Sequence, residues 1–275
     1  MNEHRKSEYC DEVRASMRPV LHDGANDRAV ASVKLHLNDC RECWAIWNAL
    51  RWEIAATSTH LQELREYMGV SFRYGLDSSW LLAEEWNSRP RTSRVDVEKF
   101  YRETPWYVYN QVIFVASGQR PPYGPVAMTR MAESGVRSIL DFGCGVGTDG
   151  LLFASAGYFV KFIDINRHCR SFLEWRIARR QLSNAKVIAS VDSSHGCDTL
   201  WLMDVVEHLP VPEDVLRPLL PGVNCVFVDT HTASDSGGRH PFHYEESFGR
   251  AAVMLRDEGF VHSYEDRLDV WERKC

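Results

Sequence analysis

The chain has 275 residues, 44% of them hydrophobic, and a formal charge of −6 at pH 7. That length allows one large domain or a core with an added module, and the acidic balance excludes a broad basic field for a nucleic-acid backbone. The charged start MNEHRKSEYCDEVR lacks the apolar core of a signal peptide, and no run of roughly 18 apolar residues occurs, so a cytoplasmic protein without a membrane segment is expected. Its eight cysteines are then thiols or metal ligands rather than a disulfide framework.

Residues 1–70 read as helical, with apolar residues at spacings of three and four through AVASVKLHLNDCRECWAIWNALRWEIAATSTHLQELREYMG and Gly69 as the stop. His36, Cys40 and Cys43 follow one another at steps of four and three, which puts them on one helix face, where an imidazole and two thiolates converge on one metal. A tetrahedral site lacks one ligand, for which Cys10, His4 and His22 are candidates. The block HLNDCREC resembles the zinc-finger domain of zinc-binding anti-sigma factors, in which an earlier helix supplies the further ligand. On that resemblance Cys10 is the fourth ligand of a structural Zn2+. The competing reading is an incidental helix face; a small helical segment with little core favours metal, because bound zinc contributes to its folding.

Residues 71–135 read as a linker and an aromatic helical cap. Asn87 to Arg94 is polar and holds Pro90, which marks a connection. Phe100, Tyr101, Trp106, Tyr107, Tyr109 and Phe114 follow on expected helices, either as packing or as part of an acceptor pocket. RPPYGP at 120–125 reads as a stiff connection.

From residue 136 to 275 strands and helices alternate. SILDF, YFVKFID, KVIAS, DTLWLMDV and NCVFVDT are the expected strands, with helices at about 148–156 and through HCRSFLEWRIARRQL, so βαβ steps and a parallel sheet follow. Between the first strand and its helix lies DFGCGVGTDG. Glycine there permits positive φ and close approach of a ligand to the backbone, near the positive end of a helix. The spacing is G-x-G-x-G and not the G-x-G-x-x-G of a dinucleotide site, since Thr148 stands where the last glycine would be. Asp141, two residues before Gly143, repels a pyrophosphate and suits a cation or an ammonium group.

ILDFGCGVGTDG together with VKFIDIN resembles motif I and the acidic post-motif of class I S-adenosylmethionine-dependent methyltransferases. The resemblance implies an α/β fold, a Rossmann-like seven-stranded methyltransferase core with an antiparallel last hairpin from FVHSYEDR and DVWERK, here preceded by the N-terminal helical zinc-binding module. It also implies S-adenosyl-L-methionine as cofactor, with Asp141, Gly143, Cys144, Gly145 and Gly147 around its methionine part and Asp164 and Ile165 at the ribose. Asp192 falls where relatives contact the adenine amine, or is an ordinary loop aspartate. Asp204 falls beside the cofactor in MDVVEHLP, a segment similar to motif IV of small-molecule methyltransferases of the ubiquinone-biosynthesis type. The Asn/Asp-Pro-Pro-Tyr/Phe tetrapeptide that aligns planar amine nitrogens in DNA and glutamine methylation is absent. On the acceptor side, Tyr107 or Tyr109 of the cap faces the substrate, His208 orients a loop or acts as a base, and the long segment THTASDSGGRHPFHYEES offers His231, His240 and His243 as general base, metal ligands or solvated residues. A small-molecule acceptor methylated on oxygen or nitrogen is the expected reading. Its rivals are a protein or peptide acceptor docked by the zinc module, and a regulatory anti-sigma-like protein whose core senses the cofactor.

Overall fold

Short apolar runs broken by glycine, serine and charge set the strand lengths, and each run becomes a strand buried between layers. The computed structural model describes residues 3–22, 27–90, 92–191, 195–229, 244, 246–266 and 268–273. Eight helices come first: α1 (Glu3–His22), α2 (Asp27–Asp39), α3 (Arg41–Ala55), α4 (Thr59–Met68), α5 (Ser78–Ser88), α6 (Arg94–Glu103), α7 (Trp106–Ala116) and α8 (Tyr123–Glu133). Then β1 (Ser138–Phe142), α9 (Thr148–Ser155), β2 (Phe159–Ile163), α10 (Arg167–Arg179), β3 (Ala185–Val187), β4 (Thr199–Leu202), α11 (Pro212–Leu216), β5 (Cys225–Asp229), α12 (Ser247–Asp257), β6 (Phe260–Glu265) and β7 (Leu268–Arg273) complete the order.

The seven strands form one sheet in the order β3-β2-β1-β4-β5-β7-β6. β1 pairs in parallel with β2 and with β4, and β4 with β5, whereas β7 is antiparallel to both β5 and β6. The strand order reverses at β1 and β4, so a crevice opens at their carboxyl ends, where open α/β sheets bind ligands. Side chains alternate across the pleat: Ile139, Phe162, Trp201 and Phe227 pack with α8 and α9 on one face, while Leu140, Leu200 and Val226 pack with α11 and α12 on the other. This sheet, with its antiparallel hairpin, is the Rossmann-like methyltransferase fold the motifs imply.

The connection is shorter than the polar stretch from 87 to 94: Asn87 and Ser88 belong to α5 and Arg94 begins α6, where Ser93 with Asp96 makes a capping box. RPPYGP is more than a stiff joint: Pro122 is the N-cap of α8, so the prolines begin a helix, as their fixed φ and missing N–H allow in a first turn. Among the described residues no helix is long and apolar enough to cross a membrane.

Among the described residues, α1 to α4 contribute to two cores. Val13, Met17, Val33, Leu37 and Trp47 form one among α1, α2 and α3. The end of α3 belongs to another, in which Trp52 and Ala55 join Leu61 and Leu64 of α4, Val108, Tyr109 and Val112 of α7, and Phe172 of α10. Trp52 is 1% exposed and its indole N–H donates to the Leu76 carbonyl at 3.2 Å, so its ring sits fully packed without losing a hydrogen bond.

Polar bonds reinforce this packing across α4 and α10. Arg176, fully buried, donates from Nε to Glu63 Oε2 at 2.8 Å, and Arg180 meets the same carboxylate through both oxygens. His60 Nδ1 lies 2.9 Å from Arg176 Nη2. Burial, then the Arg176 and Arg180 charges, hold His60 down at about 4.

A histidine whose folded pKa is depressed leaves the unfolded chain with more bound protons between the two values, so stability rises with pH across that window. The unfolding free energy from urea denaturation is therefore expected to fall as pH is lowered from about 6.5 to about 4, by about 3 kcal/mol from this residue. His60→Gln should remove that part of the dependence; an unchanged slope between pH 7 and pH 5 in the variant would overturn the assignment.

Candidate active site

β1 ends at Phe142 and α9 begins at Thr148, which leaves Gly143 to Gly147 to turn the chain over the sheet end. Gly143, Gly145 and Gly147 have φ of 70°, 51° and 73°, a region that side-chain-bearing residues rarely adopt. Space adds a second requirement. A Cβ on Gly143 would run into the Val205 side chain, and one on Gly145 into the Gln111 carboxamide.

The turn is fixed from several directions. Gly143 and Cys144 N–H groups donate to the Ile163 carbonyl at 2.9 and 3.1 Å. Asp164, just past β2, accepts the Gly145 N–H on Oδ2 at 2.7 Å and the Asn166 N–H on Oδ1 at 2.6 Å. Burial raises the proton affinity of Asp164, and those two bonds pull it back. Gln111 of α7 accepts the Val146 N–H at 2.9 Å, while Arg176 of α10 donates to the Val146 carbonyl. Ile165 follows Asp164 with 38% of its surface exposed.

Asp141 is buried on β1, and burial, with the Asp149 charge, holds its carboxyl well above the usual range. Asp149, in the first turn of α9, is bound through both oxygens by Arg120 at 3.0 and 2.7 Å and also accepts from the Trp201 indole at 3.2 Å. Arg120 Nε lies 3.7 Å from Asp204 Oδ2. Burial works against the guanidinium charge, but Asp149 and Asp204 outweigh it. Asp204 itself, after β4, has φ of 56° and donates its N–H to Asp229 Oδ1 at 3.0 Å.

On the far side of this crevice, Tyr101 of α6 has its hydroxyl 3.1 Å from His208 Nδ1, and its ring is stacked on Tyr107 at 5.9 Å. Tyr107 and Gln111 lie four apart on α7 and so share a face. Tyr109 lies on the opposite face: its hydroxyl accepts the Arg73 N–H at 2.9 Å and its ring packs against Phe72 and Trp52. The fold thus brings Tyr107 to the glycine turn and points Tyr109 into the helical layer. His231, His240, His243 and Asp192 lie outside the described residues.

A second cluster lies in the N-terminal helices. Cys10 Sγ is 3.6 Å from His36 Nε2 and 3.9 Å from Cys40 Sγ, and the ligand atoms of Cys10, His36, Cys40 and Cys43 all fall within 4.8 Å of one another. The expected single helix face is not how this is achieved. Cys40 is extended, with φ of −122° and ψ of 97°, and stands between α2 and α3. In one continuous helix His36 and Cys43 would be about 10 Å apart along the axis, too far for one ion; the break at Cys40 lets the two helices fold together.

Gln111, Arg120 and Asp149 were not among the residues expected from the sequence. The signal for Gln111 is a polar residue within the apolar run WYVYNQVIFVA, where an amide must find a buried partner. Arg120 and Asp149 are far apart in sequence and pair only through the packing of α8 on α9.

A family model described as a methyltransferase domain matches residues 119–269. No curated protein matches the chain in sequence. Among solved structures, magnesium protoporphyrin IX methyltransferase (ChlM) from Synechocystis PCC 6803 with bound SAM is 16% identical, with a TM-score of 0.45 over 80% of this chain and 99% of that one. The methyltransferase domain of bacterial CtHen1-C is 14% identical, with a TM-score of 0.44 over 56% and 97%. For a putative caffeoyl-CoA O-methyltransferase from Staphylococcus aureus the values are 13%, 0.46, 78% and 98%.

Arg120→Met should leave Asp149 buried with only the Trp201 indole as partner. Removing one member of such a pair costs about 3–5 kcal/mol, to be read from urea denaturation; a loss below about 1 kcal/mol, the scale of an exposed pair, would show that the bridge is not buried in solution.

Proposed function

The chain belongs to the methyltransferase-domain family and is an S-adenosylmethionine-dependent methyltransferase, and from that premise we propose that it methylates oxygen or nitrogen of a small-molecule acceptor. The observation that carries the methyl-donor part of the reading is the bond from the Gly145 N–H to Asp164 Oδ2 at 2.7 Å. It joins the glycine turn to the acid after β2, the two parts that a nucleoside-bearing cation needs side by side.

The donor set suits that group. Asp141, Gly143, Cys144, Gly145 and Gly147 would receive its methionine part, Asp164 and Ile165 its ribose and base, and Asp204 would lie beside the sulfonium. Carboxylates here favour a cation and disfavour a pyrophosphate. S-adenosylmethionine supplies an activated methyl group. The chain's own contribution is then to hold an acceptor nucleophile in line with that methyl and keep water away. Tyr107 lines the acceptor side and His208, held by the Tyr101 hydroxyl, orients the acceptor.

In the same reading the chain divides into a zinc-binding helical module over 1–70, an aromatic cap over 71–135 and the catalytic core over 136–275, with Cys10, His36, Cys40 and Cys43 holding one structural zinc ion. Their separations of 3.6 and 3.9 Å suit tetrahedral coordination, in which ligand atoms lie roughly 3.5–3.8 Å apart. The core among α1, α2 and α3 is small, so a bound ion would supply folding free energy that apolar burial does not.

Calorimetric titration with S-adenosylhomocysteine tests the donor site: Asp164→Ala and Gly145→Val should each lower affinity at least tenfold, and unchanged binding in both refutes it. Mass spectrometry of metabolites with and without the protein should reveal a product heavier by one methyl group. For the metal, elemental analysis of protein purified without a histidine tag should give one zinc per chain, lost in Cys40→Ser; substoichiometric zinc indifferent to that change would remove the metal from the reading.

A further inference from the structure

β4 and β5 run in parallel, and their register pairs Leu202 with Val228. The residues just beyond therefore reach the same edge of the crevice. Asp204 follows β4, Glu207 lies in the short turn after it, and Asp229 closes β5; one carboxylate oxygen from each lies within 4.8 Å of the others. Three acids so close repel one another strongly unless a positive charge joins them. Arg120 lies 3.7 Å from Asp204 and is bound through two nitrogens to Asp149.

Glu207 supplies an observation separate from this clustering. It is 5% exposed, and its Oε2 is buried without a hydrogen-bond partner. A buried carboxylate oxygen left in that state is costly, and a native site meets that cost when a ligand supplies the missing donor. The neighbourhood narrows the kind of donor. Tyr101 and His208 stand ring to ring at 5.5 Å, and the Tyr244 N–H donates to the Glu207 carbonyl at 2.7 Å, which brings a third aromatic residue, 41% exposed, to the same edge. Carboxylates beside aromatic faces attract an organic cation through charge and through the ring quadrupoles. A carboxylate, phosphate or thioester-linked nucleotide would be repelled. The three carboxylates could also meet a divalent metal ion with water completing its shell, but the aromatic faces beside them add attraction only for an organic cation.

We propose that the acceptor is an amine, docked as its ammonium ion between Asp204, Glu207 and Asp229 on one side and the Tyr101–His208 pair on the other. The inference rests on the reading that methyl transfer takes place at this end of the sheet. The ammonium gives a proton to the Glu207 carboxylate, and the freed lone pair on nitrogen forms the new N–C bond as the methyl C–S bond breaks. Its electron pair stays on sulfur, which becomes a neutral thioether, and the product leaves as a methylated ammonium while Glu207 releases its proton to solvent. Glu207 suits this exchange: burial, then Asp229 and Asp204, raises its affinity for a proton. Asp204 and Asp229 hold the cation, and the rings cover its apolar part.

The test uses benzyltrimethylammonium, which has no proton to lose, and its uncharged carbon isostere. Both are titrated calorimetrically into the full chain loaded with S-adenosylhomocysteine, as wild type, Glu207→Gln and Asp204→Asn. The expected result is binding of the ammonium at least tenfold tighter than the isostere, and a tenfold or greater loss in each variant. Turnover with radiolabelled methyl donor should then favour an arylalkylamine over the matched phenol and carboxylate. Equal binding of ammonium and isostere, or no loss in either variant, overturns the amine acceptor while leaving the methyltransferase reading in place. Micromolar binding of Mn2+ by electron paramagnetic resonance, lost in the same variants and unaccompanied by ammonium binding, overturns it in favour of a metal ion. If S-adenosylhomocysteine itself does not bind, the donor-site reading fails first and the inference with it.

Discussion

The peptide unit of Val146 is held from both sides, and much of the molecule is arranged to hold it. Gln111 of α7 accepts its N–H, and Arg176 of α10 donates to its carbonyl. Arg176 is fully buried, and removing a guanidinium from water costs several kcal/mol unless every donor finds a partner. Glu63 and His60 of α4 complete the set. The charge is tolerable only when α4, α10 and the glycine turn are all in place, so the turn is rigid as a consequence of the helical layer and not of its own sequence, which is rich in glycine.

That dependence reaches further along the chain. α3 begins beside Cys43 and ends at Trp52 and Ala55, which share a core with α4, α7 and α10. One helix therefore carries a member of the Cys/His cluster at one end and packs against the helix bearing Gln111 at the other. Asp77 ties α3 from the side, accepting from the Trp44 indole at 2.8 Å and from Arg41 at 2.8 Å. Anything that orders the first three helices also orders the support beneath the glycine turn.

Charge organises the crevice itself. Asp141, Asp149, Asp164 and Asp204 surround it, with Arg120 as the cation tying two of them together. Arg120 neutralises Asp149 deep in the site and leaves the outer acids to face whatever enters. A positively charged methyl donor is compatible with that field, and a second cation at the Asp204 edge would be compatible for the same reason. Because charges interact more strongly away from bulk water, the burial that makes these acids costly also makes them selective.

The sheet was legible in the sequence because its signals are local. Apolar runs of five or so residues, the helices between them and the G-x-G-x-G spacing each declare themselves within a short window, and Asp164 follows from one βαβ step after Gly145. His36, Cys40 and Cys43 were readable from ligand chemistry and spacing and Cys10 from the resemblance to zinc-binding anti-sigma factors, although the helix break at Cys40 was not, since no glycine or proline marks it. What tertiary structure alone decided are the pairings between distant elements. Tyr107 and Tyr109 look equivalent in sequence, and only the packing of α7 against α3 sends Tyr109 to the Arg73 amide and leaves Tyr107 beside Tyr101 and the crevice. Gln111, Arg120 with Asp149, and Glu207 with Asp229 belong to the same class: each is a polar residue whose meaning depends on a partner from another element. Sequence alone determined the alternation of strands and helices through local periodicity, and the methyl donor through the resemblance of its glycine turn and Asp164 to a known motif, since both are local properties of the chain. Which side chains line the site was decided by packing, because burial and hydrogen-bond partnership exist only once the elements have met.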